Sequence, residues 1–115
     1  MAATGQNFEM HAGDRKQIQI SVTEEDGSVL DLISFTQITW VIYHQTTKVA
    51  VLTKTLGAGI TVPTPSNGVI LIDLLPADTE NISPSLYNHE CEISDGSTNV
   101  ATVTTGFVKI LYSKA

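Results

Sequence analysis

GVILIDLLPADTENISPSLYNHECEI, residues 68–93, decides the fold. Ile70, Ile72 and Leu74 alternate with Leu71 and Asp73, the period of a strand with one committed face. Pro76-Ala77-Asp78-Thr79 stops that strand and supplies one helical turn, since proline and aspartate both suit a helix entry. Ser83-Pro84-Ser85 ends the turn. From there Tyr87, His89, Cys91 and Ile93 point one way, while Asn88, Glu90, Glu92 and Ser94 point the other. A strand that is apolar on one side and acidic on the other lines the core of an antiparallel sheet with one wet face. The stretch therefore reads as strand, crossover, strand, and it holds no active site.

The same alternation extends outward in both directions. Residues 7–11 are a short candidate strand, and residues 15–23 a longer one with Ile18, Ile20 and Val22 inward. Glu24-Glu25-Asp26-Gly27 is a turn ending in the Asp-Gly signal. Leu30 and Leu32 share one side of a short extended piece, and Ile33-Ser34-Phe35-Thr36 arches over the top of the core. Residues 37–44 form a strand with Ile38, Trp40 and Ile42 inward; Trp40 is the natural centre of the core. Residues 49–56 return, rich in β-branched side chains. Residues 60–62 are a minor strand, followed by a turn with two prolines. After the 68–93 stretch, Asp95-Gly96-Ser97-Thr98-Asn99 turns the chain into a closing strand, residues 100–112. Its parity slips between Val103 and Val108, which a bulge near Thr105-Gly106 would repair.

Seven to eight short strands with turn signals between them and one helical turn predict an all-β, immunoglobulin-like antiparallel β-sandwich. Tyr87, just after a crossover, resembles the tyrosine corner of such sandwiches. The single cysteine excludes an internal disulfide, so the core alone holds the fold. A chain of 115 residues reads as one domain over residues 7–115 behind a flexible arm, residues 1–6.

Composition narrows the function. The net charge is −6 and the six basic residues are scattered, which disfavours nucleic acid and anionic membranes. No window approaches the roughly 20 apolar residues of a bilayer span. There is no basic start followed by an apolar run, so no signal peptide is read, and synthesis in a cytoplasm is expected.

Each candidate for chemistry has a plainer reading. His89 and Cys91 share a strand face and form a conceivable ligand pair; a packed histidine hydrogen-bonded in the core is the simpler account. Cys91 reads as a small buried hydrophobe. Glu24-Glu25-Asp26 lacks the alternating spacing of a calcium loop and reads as a solvated hairpin tip. Glu90 and Glu92 lie roughly 7 Å apart on one strand face, which mimics a glycosidase pair, but same-face acids on an open sheet are ordinarily solvated surface. No serine elbow or phosphate loop is present. The expectation is a non-enzymatic binding or building module, with no catalytic residue, metal or cofactor.

Several of these features, in order, resemble a family of small bacteriophage structural proteins related to the N-terminal β-sandwich domain of phage baseplate upper proteins. Gly13-Asp14 and the strand Ile18-Gln19-Ile20-Ser21-Val22 resemble its "GD…f-x-v-x-v" start. Asp26-Gly27-Ser28-Val29-Leu30-Asp31-Leu32 resembles its "DG-x-x-x-DL" turn, and residues 37–43 with Trp40 its next strand. Gly68-Val69-Ile70-Leu71-Ile72 resembles "G-x-i-x-v". Asp78-Thr79 followed by Leu86-Tyr87 resembles the "eT…G-x-Y" crossover, with Ser85 where the family often has glycine. Asp95-Gly96 and Gly106-Phe107-Val108-Lys109-Ile110 resemble the closing hairpin. Ile33-Ser34-Phe35 departs from the family's usual turn.

The resemblance implies a virion protein of a tailed phage, assembling on tail, baseplate or head and joining other phage structural proteins, with self-association in a symmetric assembly. A carbohydrate- or receptor-binding sandwich is the alternative; it needs Trp40, Tyr43, Tyr87 and Tyr112 exposed. A hydrolase built on Glu90 and Glu92 ranks last. The strands at residues 49–55 and 100–112 are expected to offer open edges guarded only by Lys54 and Lys109. Val41, Tyr43, Phe107 and Leu111 form the outward apolar set, which either fills a second packed face or makes a protein contact patch.

Overall fold

The computed structural model describes residues 7–98 and 100–112. The expected arm, Asn99 of the last hairpin and the tail from residue 113 lie outside the described residues. Eight strands form among them: β1 (Phe8–His11), β2 (Lys16–Ser21), β3 (Gln37–His44), β4 (Ala50–Leu56), β5 (Gly59–Thr61), β6 (Val69–Leu74), β7 (Ser85–Ser94) and β8 (Val100–Leu111). One helical turn, α1, spans Pro76–Thr79, and a 3-10 turn spans Pro65–Asn67.

The strands hydrogen-bond in the order β1-β8-β7-β3-β4-β5-β6-β2. This ladder doubles over at β4 and β5. Ile18, Ile20, Ile70 and Ile72 from one end therefore share a single core with Trp40, Ile42, Tyr87 and Val108 from the other. The result is a β-sandwich, with the layer β1-β8-β7-β3-β4 facing the layer β5-β6-β2.

The 68–93 stretch does what its pattern predicts. β6 pairs with β2 and β5 in one layer, and β7 pairs with β3 and β8 in the other. The crossover between them is braced at both ends. Leu75 N–H donates to Asp78 Oδ2 at 2.7 Å, and the Tyr87 hydroxyl donates to the Ser83 carbonyl at 2.6 Å. The second bond is a tyrosine corner: it ties the ring at the start of β7 to backbone four residues upstream. Gly68 starts β6 at φ +67°, and a Cβ there would lie 2.8 Å from the carbonyl oxygens of both Val22 and Leu30. Only glycine lets the strand enter so close to the arch. The arch itself buries Leu30, Leu32 and Phe35 over the end of the core, as expected.

Three expectations are corrected. The sheet is not antiparallel throughout: β1 pairs parallel with β8, and β4 touches β5 in parallel over two residue pairs. The second contact is a corner rather than a hairpin. Thr55 and Ala58 exchange N–H···O bonds, the Gly57 N–H donates to the Ile60 carbonyl, and the chain kinks from one layer into the other. The β8 bulge falls at Val103, not at Thr105-Gly106: Cys91 is opposite Thr104 and Glu92 is opposite Thr102, so Val103 is the extra residue. Val103 and Thr104 are consequently both buried. Gly106 instead lies directly across from His89, whose ring packs against Phe8.

The third correction concerns the edges. β1 covers residues 108–111 of β8, and the uncovered part carries the Val103 bulge. β5 reaches only residues 55–56 of β4, and the rest of β4 carries a second bulge at Val51. Lys54 does not guard that edge. It sits opposite the inward Trp40, and its Nζ pairs with Asp78 Oδ2 at 2.7 Å. Bulges twist an edge away from pairing partners. The open stretches of β4 and β8 are thus protected by backbone geometry rather than by Lys54.

Candidate functional site

β3, β7 and β8 carry two different faces, and the residues singled out in the sequence divide between them. The inner face takes His89 and Cys91. Both are fully buried. Trp40 Nε1–H donates to His89 Nδ1 at 3.1 Å, a diagonal cross-strand contact, and the Phe8 ring lies 5.2 Å from the imidazole. An indole N–H can only donate, so Nδ1 carries no proton and His89 is neutral. Burial, helped by the Glu92 charge, pushes the Cys91 thiol up to about 12, which leaves it protonated and inert at neutral pH. The hydrogen-bonded core histidine is what the structure holds; the pair faces packed carbon and ring edges rather than a ligand cavity. Among the described residues, no group of three or more His, Cys, Asp and Glu side chains converges to hold a metal.

The outer face takes the apolar set. Strand register places Tyr43, Asn88 and Phe107 in one row across β3, β7 and β8. Val41, Glu90 and Thr105 make the next row, and Thr39, Glu92 and Thr102 the one beyond. On the other side of the aromatic row stand Leu86 and Lys109, with Glu9 of β1 beside Lys109. Leu111 lies past Lys109 at the end of β8. Leu86 and Phe107 are 47% and 48% exposed, and Val41, Tyr43 and Leu111 are half-buried. The structure therefore gathers Val41, Tyr43 and Phe107 into one patch and sets Leu111 at its rim. Leu86, which the sequence reading passed over, fills the gap. Its signal was available, since it shares the outward parity of Asn88.

No second layer of the described chain covers this face. The alternative that these residues fill a second packed face within the sandwich is not what the structure holds. A shallow cavity of about 310 Å³ opens among Val41, Tyr43, Lys48, Ala50 and Glu90. The Lys48 Nζ stands 5.7 Å from the Tyr43 ring centre, a cation–π distance. At the centre of the aromatic row, the Asn88 Oδ1 is buried with no hydrogen-bond partner. Buried polar atoms are nearly always paired, so this one marks a place where the chain's own packing is incomplete.

The remaining candidates scatter. Glu90 and Glu92 lie on the outer face in successive rows, beside an open sheet surface. Glu24 and Asp26 turn onto Ser28: its hydroxyl donates to Asp26 Oδ1 at 2.6 Å and to Glu24 Oε2 at 3.3 Å. The bonds from Ser28 hold the exposed Asp26 carboxyl below its ordinary range. Of the aromatic residues a glycan platform would need, Trp40 and Tyr87 are buried, leaving Tyr43 half-buried and Tyr112 exposed. A larger cavity of about 470 Å³ lies beside the crossover, where Asp14, Glu80 and Tyr112 meet the backbone of Gly13.

No family model matches the chain, and no curated protein matches it. Among solved structures, the chain is similar to a chicken TCR at a TM-score of 0.61 and 12% identity. The match covers 98% of this chain and 57% of the TCR chain. At that identity the likeness speaks for the fold alone, and it is an immunoglobulin-like β-sandwich.

Proposed function

We propose that this chain is a non-enzymatic structural protein of a tailed-phage virion, a β-sandwich module that joins neighbouring components of tail, baseplate or head. The observation that carries the reading is the outer face of β3, β7 and β8. Half-exposed Leu86 and Phe107 join Val41 and Tyr43 in one apolar patch, which suits a surface completed by another protein. The ordered likeness of the turns and strands to the phage family adds support. Gly13-Asp14, Asp26-Gly27 and Asp95-Gly96 all lie between strands, in keeping with that likeness.

The partners are other phage structural proteins and further copies of the chain, and the place of action is the virion. The test is mass spectrometry of purified particles from the phage or prophage that encodes the chain. Peptides at a stoichiometry matching other structural proteins are expected. Their absence from intact particles overturns the reading.

A further inference from the structure

We infer that two copies of the chain pack face to face through this outer surface, about a two-fold axis that runs across the strands along the Tyr43–Asn88–Phe107 row. The inference rests on the proposed self-association and goes on to name the surface and its geometry. β4 and the part of β8 beyond β1 carry bulges and the terminal strand β1 is only four residues long, which favours the face over the edge as the surface for pairing.

The charge pattern selects the axis. Glu90 and Glu92 lie on one side of the aromatic row. Lys109 lies on the other, with Glu9 of β1 beside it, while Lys48 reaches back over Tyr43 into the cavity that Glu90 also lines. None of these five makes an ion pair among the described residues. A two-fold axis across the strands reverses strand direction between the copies and sets Glu90 of one copy over the Leu86–Lys109 row of the other. An axis along β7 would keep every row in place and stack Glu90 and Glu92 on themselves. Like charges face to face are unfavourable, so the first arrangement is the more complementary of the two.

From strand spacing and rise, the face measures about 20 Å by 26 Å, on the order of 500 Å² in projection. That falls at the small end of specific interfaces, so the dimer is expected to form and dissociate with concentration.

Sedimentation velocity across a concentration series tests this on the full chain and on Glu90→Lys, Lys109→Glu and the double swap. Each variant is first checked for unchanged circular dichroism and urea midpoint. The wild type is expected to pass from monomer to dimer. Each single reversal should weaken association about tenfold, and the double swap should recover most of the loss. Asn88→Asp, which places two like charges on the axis, should weaken it as well.

A wild type that stays monomeric at every concentration overturns the inference, and so does a dimer indifferent to all of these variants. Glu90→Gln that tightens the dimer overturns the chosen axis in favour of stacked glutamates. These outcomes are separate from the particle test. A chain found in virions yet monomeric in solution leaves the structural role standing and removes this interface. A charge-swappable dimer missing from virions does the reverse.

Discussion

The two faces of β3 and β7 are built from alternate residues of the same two strands, and they are finished to different degrees. On the inner face every large side chain but His44 at the end of β3 is buried, and its hydrogen-bonding atoms find partners: Trp40 with His89, the Tyr87 hydroxyl with Ser83. Even its one lysine neighbour, Lys54, ends on Asp78 with its side chain only 12% exposed. On the outer face, Leu86 and Phe107 stay half in water, and among the described residues Asn88 Oδ1 has no hydrogen-bond partner and Lys48, Lys109, Glu90 and Glu92 make no ion pair. Sandwich formation accounts for the first face completely. It does not account for the second, whose apolar residues contribute to no core. The contrast separates residues kept for folding from residues that folding alone does not require, and it can be attacked from either side.

The largest effect is expected at the inner face. Trp40→Ala removes the largest fully buried side chain at the centre of the core and takes the donor away from His89 Nδ1. Emptying such a site costs about 3–5 kcal/mol, a large share of the roughly 5–15 kcal/mol that holds a domain together. Urea denaturation should show the midpoint fall by more than half or the variant fail to fold. A loss under about 1 kcal/mol would mean that Trp40 is not the keystone its burial indicates.

A middle effect is expected where the core's rim meets charge. Burial works to raise the Asp78 carboxyl, but it is outweighed by the hydrogen bond from Lys54, the bond from Leu75 N–H and the Lys54 charge, and the net position is below the ordinary carboxylate value. A carboxylate with a lowered folded pKa binds fewer protons folded than unfolded. Its contribution is therefore complete at neutral pH, and it begins to disappear as pH falls through the ordinary value of about 3.9. Asp78→Asn should cost about 1 kcal/mol at pH 7 and flatten the acid limb of the stability profile. An unchanged acid limb would show that the Lys54–Asp78 contact does not clip β4 to the crossover in solution.

Much of this contrast is legible in the sequence, and the misses are of one kind. The alternation in residues 37–44 and 85–94 assigns each side chain to its face without any structure, because strand parity is local. It places Trp40, His89 and Cys91 inside and Tyr43, Asn88 and Glu90 outside. What local parity cannot supply is a contact between distant segments. Lys54 reads as an edge guard because its partner Asp78 lies in a helical turn 24 residues on, and only the fold of β4 beneath the crossover joins them. Gly106 reads as the bulge because glycine tolerates one. Its actual use is opposite His89, a pairing known only once β7 and β8 are in register. The parallel pairing of β1 with β8 is likewise set by how the chain crosses between layers, which no strand pattern encodes.

The smallest effect on folding is expected at the outer face, and it is the most telling for the comparison. Phe107 is exposed by about half, and its backbone N–H donates to the Asn7 side chain at 2.9 Å, a bond that any side chain at position 107 preserves. Replacing it with serine removes no buried contact on the scale of the core, so Phe107→Ser should shift stability by no more than about 0.5 kcal/mol. A residue of this size that stability does not need has a reason outside the monomer, and the same variant should raise the concentration at which the chain associates. If Phe107→Ser instead cost as much as a core substitution, the outer face would be part of the folding core after all, and the division between the two faces would collapse.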